Sequence, residues 1–216
     1  MDTIDRFLRI QELLGEDFER LRQAKILLLG VGGVGGFCLD CLYRSGVSQI
    51  TIVDSDIFEI SNQNRQIGSE LLGQSKVKVL SERYDGVVPV HARITKEWVE
   101  SFDFDQYDLV LDAIDDILAK VAVAKKVYNK LISSTGSAKK LDPSKIMADS
   151  IWKSYGDKLA KKFREALKKE GCHHPFMVIF SPEDPRCETL GSFCGVTGSF
   201  GLRMASEAIR QLLQKE

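Results

Sequence analysis

The residues best suited to chemistry begin with Gly30-x-Gly32-x-x-Gly35, which follows the apolar run Ile26–Leu29 and precedes a helical pattern. In that order the first glycine permits a tight turn, the second lets backbone approach a phosphate, and the third lets helix pack on strand. The helix N-terminus then offers free N–H groups and a positive dipole end to an anion. A glycine-rich turn without a ligand is the plainer alternative. Asp54 ends the next apolar run, at about the separation expected of a carboxylate that binds a ribose hydroxyl. ATP and NAD both carry that ribose, so these residues alone leave both open.

Two further groups tilt the balance toward a triphosphate. Asp54-x-Asp56 is followed by Asn62-x-Asn64-Arg65-Gln66 and by Gly73-Gln74-Ser75-Lys76. Arg65 offers a fork and Lys76 a point charge for phosphate oxygens, beyond what hydride transfer requires. The alternative is that both are solvated surface charges, as most such residues are. Asp112-Ala113-Ile114-Asp115-Asp116 closes another apolar run, where ligands bind in open α/β sheets. Asp115 is suited to hold Mg²⁺ against phosphates or to assist pyrophosphate departure. One of the three carboxylates is expected to cap the next helix.

Periodicity predicts strands at Lys25–Leu29, Gln49–Asp54, Val87–Arg93, Tyr107–Asp112 and Leu131–Ser134. Helices are predicted over Gly33–Ser45, Ser69–Tyr84 and Ile117–Leu131, with Ile57–Gln66 an irregular loop. Asp5–Arg22 has helical spacing that Gly15 interrupts. The alternation predicts an α/β, Rossmann-like, doubly wound and mostly parallel sheet with helices on both faces. Beyond Thr135 come predicted strands Lys145–Ser150 and Phe176–Phe180, a basic helix Lys158–Glu170 and a closing helix Gly198–Gln214. The chain reads as one domain, 1–216, with a nucleotide-binding core over 1–134 and a substrate-side C-terminal extension over 135–216.

A net charge of −1 gives no global argument for nucleic acid. Met1–Glu19 lacks the apolar segment of a signal peptide and no apolar run reaches membrane-spanning length, so a cytoplasmic protein without membrane association is expected. Five cysteines, an odd number, argue against a disulfide framework. Cys38-x-x-Cys41 has metal-ligand spacing but no second pair, so core packing is the better reading. Cys172-His173-His174 could bind adventitious metal, but a solvent-exposed loop is the better reading.

The charge is nevertheless uneven: Ile117–Glu170 holds 14 Lys/Arg against 5 Asp/Glu. In the basic helix Leu159, Phe163 and Leu167 can face the core while Lys161, Lys162, Arg164, Lys168 and Lys169 stay outward. Such a face suits an RNA backbone, or is simply solvated. It lies far along the chain from Arg65 and Lys76, so it is expected to stand apart from the nucleotide.

Arg6-x-x-Arg9, Gly30-x-Gly32-Gly33-x-Gly35, Asp54-x-Asp56, Asn62-x-x-Arg65-Gln66, Gly73-Gln74-x-Lys76 and Asp112-x-x-Asp115 together resemble one known signature. It is the adenylation signature of the ubiquitin-activating-enzyme-like superfamily, whose members adenylate a carboxylate with ATP and Mg²⁺. The resemblance implies that Gly30, Gly32, Gly33, Gly35, Asp54, Asp56, Asn62, Arg65, Lys76 and Asp115 surround ATP. Asp54 would hold the ribose, Arg65 and Lys76 the phosphates, and Asp115 the metal. It also implies a homodimer in which Arg9 reaches the partner subunit's ATP, so Arg9, Arg65, Lys76 and Asp115 are the expected catalytic residues.

Thr135-Gly136-Ser137-Ala138, Leu141-Asp142-Pro143-Ser144-Lys145-Ile146 and Asp157-x-Leu159-Ala160-Lys161-x-Phe163-Arg164 resemble the tRNA threonylcarbamoyladenosine dehydratase branch. That branch implies a tRNA substrate, with Lys161, Lys162, Arg164 and Lys168 facing the RNA. A modified adenosine beside the anticodon would be adenylated on its threonyl carboxylate and closed into a cyclic form. Cys187 lies in a loop where the superfamily sometimes places a reactive cysteine. Cyclisation within one substrate needs no enzyme thioester, so Cys187 is a weak candidate nucleophile. The alternatives are a sulfur-carrier-protein adenylyltransferase, whose usual two Cys-x-x-Cys pairs are missing, an NAD-dependent oxidoreductase, and a module that keeps ATP without using it. A sulfur-transfer partner stays open.

Overall fold

The computed structural model describes residues 5–214; residues 1–4, the start of the stretch read above for a leader, and 215–216 lie outside the described residues. Seven strands form one sheet: β1 (Lys25–Leu29), β2 (Gln49–Asp54), β3 (Val88–His91), β4 (Leu109–Asp112), β5 (Leu131–Ser134), β6 (Met147–Ser150) and β7 (Met177–Phe180). Their order is β3-β2-β1-β4-β5-β7-β6, parallel throughout except for β6, which runs antiparallel to β7. The order reverses between β1 and β4, and ligands of such sheets bind outside the strand ends at that switch.

The helices are α1 (Leu8–Leu14), α2 (Asp17–Gln23), α3 (Gly33–Arg44), α4 (Lys76–Arg83), α5 (Lys96–Ser101), α6 (Ile117–Val127), α7 (Lys158–Lys169) and α8 (Cys194–Leu213). Alternate residues of the central strand divide the apolar core between the two faces. Ile26 and Leu28 join a cluster with Leu39, Leu42, Leu80, Phe200 and Met204, from α3, α4 and α8. Leu27 and Leu29 join Val99, Val123, Phe163 and Leu167, from α5, α6 and α7. Helices therefore cover both faces, as the alternation predicted.

Several boundaries moved. The helix predicted from Ser69 starts only at Lys76, because Gly68 and Gly73 adopt φ of +86° and +77° and hold the intervening residues in turns. A short helix, α5, forms where the periodicity assigned no element; the Thr95 side chain caps it by accepting from the Trp98 amide. The closing helix begins at Cys194 rather than Gly198. Its glycines serve close packing: a Cβ on Gly201 would lie 2.3 Å from the Val34 carbonyl oxygen of α3. Through this contact α8 packs against α3, the helix that follows the glycine turn.

Candidate active site

The carboxyl ends of the parallel strands open into one cavity of about 1410 Å³. Its lining runs across the sheet, from Asp54 at the end of β2, through Gly30 after β1 and Asp115 after β4, to Thr135 after β5 and Glu183 after β7. Gly30 turns at φ +82°, and a Cβ there would meet the Ala113 carbonyl oxygen at 2.9 Å. Gly35 is tighter still, its Cβ position lying 1.9 Å from the Gly30 oxygen. Gly33 faces Thr197 of α8, with 2.4 Å to Cγ2. Gly32 differs, since the nearest protein atom to its Cβ position is Gln66 Nε2 at 3.7 Å. The space above Gly32 is therefore open to the cavity. Gln66 lines it, and among the described residues its Oε1 is the one buried side-chain oxygen or nitrogen without a hydrogen-bond partner.

Around this cradle the structure gathers most of the expected residues. Asp54, Asp56, Asn62, Arg65, Lys76 and Asp115 all line the cavity. Asp54 holds the loop together: its carboxylate accepts from the amides of Val31 and Asp56, both at 2.8 Å. Lys76 is 5 % exposed and donates to Asp56 Oδ2 at 3.0 Å, which excludes the solvated-surface alternative for this lysine. Arg65 is half-buried and steadied by the Ser61 carbonyl and Asn64 Oδ1, both at 2.8 Å. Buried Asn62 accepts from the Glu59 amide through Oδ1.

The three carboxylates after β4 divide their tasks. Asp116 is the helix cap, accepting from the amides of Leu118 and Ala119. Asp112 is fully buried and pairs with equally buried Lys120 at 2.9 Å, while its Oδ1 accepts from the Ile114 amide. That pair fixes the turn that presents Asp115, which is exposed on the cavity wall. Among the described residues no group of three or more His, Cys, Asp or Glu is placed to hold a metal. Asp115 shares the cavity with Arg65 and Lys76, and one such carboxylate is enough for Mg²⁺ where a substrate's phosphates supply the remaining ligands.

Arg9 is exposed on α1 and does not line the cavity of its own chain. Arg6 beside it donates to the Tyr43 hydroxyl at 3.0 Å. Cys187 does line the cavity and is exposed, its Sγ 3.2 Å from the Thr189 carbonyl oxygen. Cys38 packs in the core, where burial pushes its thiol well up from the ordinary value. Cys172 is buried too, contrary to the exposed-loop expectation, because the turn after α7 folds back and its amide donates to the Leu167 carbonyl.

The basic helix corrects two expectations. It does not stand apart: Lys158 and Lys162, one turn apart on α7, line the same cavity as Arg65 and Lys76. Nor are all its cations outward, since Arg164 is half-buried and donates to Ser154 Oγ. What brings α7 in is a buried network. Asp157 caps the helix through the Ala160 amide and accepts from Thr135 Oγ1 at 3.0 Å and Lys140 Nζ at 2.5 Å. Glu183 accepts from the amides of Leu141 and Asp142. Burial pushes its carboxyl up, but these amides and Arg186 outweigh that and hold it below the ordinary range. Sequence reasoning missed Lys140, Asp157, Glu183 and Lys158 as cavity residues; only the cap position of Asp157 was a usable signal.

A model of the ThiF family matches residues 4–216. The chain belongs to the ThiF family. This ThiF-family chain is 38 % identical over 194 residues to a tRNA threonylcarbamoyladenosine dehydratase of Bacillus subtilis, covering 84 % of this chain and 76 % of that one. Among solved structures it is similar to the Escherichia coli tRNA N6-threonylcarbamoyladenosine dehydratase TcdA in complex with ATP. That likeness has a TM-score of 0.89 and 30 % identity over 96 % of this chain and 93 % of the other. The AMP complex of TcdA gives a TM-score of 0.91 and 29 % identity with the same coverage. Among the described residues, no helix is long and apolar enough to cross a membrane.

Proposed function

We propose that this chain is an ATP-dependent tRNA threonylcarbamoyladenosine dehydratase. The observation that carries the reading is the cavity itself, with a glycine cradle, Arg65 and Lys76 on one side and room for a second, carboxylate-bearing substrate on the other. The cradle fits a triphosphate because Gly32 leaves its space free and Lys76 lies buried beside it. Asp54 stands at the ribose end; each of its oxygens already accepts one amide and keeps a lone pair for a hydroxyl.

Arg65 and Lys76 stabilise the charge that develops on the phosphates as the substrate carboxylate attacks and pyrophosphate departs. Asp115 would hold Mg²⁺ at this end of the cavity, and the metal would supply Lewis-acid polarisation there. The carbamoyl group of the same nucleoside then attacks the activated carboxyl and AMP leaves. The net change is a product lighter by one water. Arg9 serves the site of a partner subunit in a homodimer, a role consistent with its exposure on α1 and its absence from the lining of its own cavity. Cys187 needs no covalent role, because the substrate carries its own nucleophile.

A sulfur-carrier adenylyltransferase uses the same ATP side, but the cationic far wall and the absence of paired Cys-x-x-Cys motifs favour an RNA substrate. Incubating threonylcarbamoyladenosine-containing tRNA with the protein, ATP and Mg²⁺ tests the reading by nucleoside mass spectrometry. The modified adenosine is expected to lose one water, with AMP formed in equal amount. An unchanged nucleoside alongside adenylation of a carrier-protein C-terminus would overturn it.

A further inference from the structure

The cations of α7 are not equivalent. Lys161 faces Glu165 at 3.9 Å, Arg164 donates inward to Ser154, and the Lys168 ammonium lies 6.0 Å from the Trp152 ring centre. Lys158 and Lys162 line the cavity, are exposed there, and have no salt-bridge partner among the described residues. The nearest acid in sequence, Asp157, is committed to Lys140, Thr135 and the helix cap. Lys158 is also poorly placed for the helix: it is the first residue of α7, where a cation opposes the dipole. Helix stability does not explain it.

The cavity exceeds the roughly 300–1,000 Å³ of an ordinary single-ligand site, so a second ligand fits beside ATP. Position along the sheet separates the two. The glycine cradle follows β1, while the wall carrying Lys158 and Lys162 lies beyond β5 and β7, two to three strand spacings or about 10–14 Å away. Arg65 and Lys76 already supply phosphate-directed charge at the cradle.

Resting on the dehydratase reading, we propose that Lys158 and Lys162 bind a backbone phosphate of the RNA next to the nucleotide that enters the cavity. The outer lysines of α7 are not that contact. The substrate strand crosses the cavity mouth at the first two turns of α7, and recognition requires a phosphodiester as well as the modified nucleoside.

Two double variants separate the inner from the outer cations, K158A/K162A and K161A/K168A. Alanine is a good helix former and neither inner lysine has a partner to lose, so K158A/K162A should fold. In K158A/K162A the affinity for threonylcarbamoyladenosine-containing tRNA is expected to fall. The slope of log affinity against log salt should flatten by up to about 1.4, or about 0.7 for each contact to a single strand. ATP affinity measured by calorimetry should be unchanged, and K161A/K168A should move neither quantity by as much. An unchanged slope in K158A/K162A with an active wild type overturns the subsite alone. A parallel loss of ATP affinity would make both lysines triphosphate ligands and also overturns it. A wild type that makes no cyclic product from the tRNA overturns the dehydratase reading, and the subsite with it.

Discussion

On the nucleotide side of the cavity Lys76 is almost fully buried, yet its partner Asp56 has a side chain 65 % exposed. Below the same strand ends Lys120 and Asp112 are both fully enclosed, and on the far side Lys140 and Asp157 are nearly so. A charge with one open partner can exchange that partner for a phosphate. A charge enclosed with its partner and two further acceptors, as Lys120 is with Ser133 Oγ and the Ser134 carbonyl, has nowhere to go and serves the frame. Buried lysines here thus face either an open carboxylate, as Lys76 does, or an enclosed one, as Lys120 and Lys140 do, and the two arrangements should respond differently to substitution.

The largest effect should come from the enclosed pair. Lys120→Met leaves Asp112 as an uncompensated buried charge and should destabilise the fold by about 3–5 kcal/mol in denaturant titrations. Adding Asp112→Asn removes that charge while keeping an acceptor for the Ile114 amide, and should recover part of the loss. If Lys120→Met unfolds at the wild-type midpoint, the division between frame and ligand charges fails.

Lys76→Ala should show the opposite balance. Its abandoned partner, Asp56, is already in water, so the melting temperature should change little. Turnover of tRNA should fall on the order of 10²–10³-fold, the loss typical of removing a group that meets developing charge. A large loss of stability with near-normal turnover per folded molecule would move Lys76 into the frame.

The glycine loop allows the same contrast without charge. Gly35→Ala forces a Cβ to within 1.9 Å of the Gly30 carbonyl, so melting should drop sharply whether or not ATP is present. Gly32→Ala meets no protein atom closer than 3.7 Å, so the free protein should keep its stability and lose ATP affinity in calorimetry. Equal ATP affinity in Gly32→Ala would mean that the nucleotide lies elsewhere in the cavity.

The glycine-loop side of the cavity was legible in the sequence as a local fold and the far wall was not, for a physical reason. Gly30, Gly32, Gly35 and Asp54 act through one local strand–turn–helix–strand unit, whose spacing is written in consecutive residues. The far wall depends on pairings between distant segments: Lys140 with Asp157, Glu183 with the Leu141 amide, and the Lys139 amide with the Gly191 carbonyl. No periodicity announces these. The burial of Lys76 was equally hidden, because it follows from the Phe58–Gly73 and Phe58–Gln74 backbone hydrogen bonds that fold the preceding loop over the strand ends. Likewise α5 is too short for a pattern and relies on the Thr95 cap and the stacking of Trp98 on Phe102.

The smallest predicted effect concerns Glu183, which ties the far wall by accepting from the Leu141 and Asp142 amides. Those amides and Arg186 hold its folded-state carboxyl below the ordinary value despite the opposing effect of burial. A carboxyl lowered on folding adds stability that is fully present above its unfolded value, about 4.3, and is lost as pH falls through the folded value. Glu183→Gln cannot ionise and carries none of that contribution. The wild type should therefore melt above Glu183→Gln at pH 7, and the gap should close as pH falls from about 5 to below 4. Other carboxylates titrate in both proteins and cancel in the difference. Far-wall ordering should follow the same course, seen as faster amide exchange at Leu141 and Asp142 in the variant at neutral pH. The Gly30 and Val31 amides, held by β2 and Asp54, should not change. A melting gap that is independent of pH would remove the Glu183 charge from the clasp and leave only its shape.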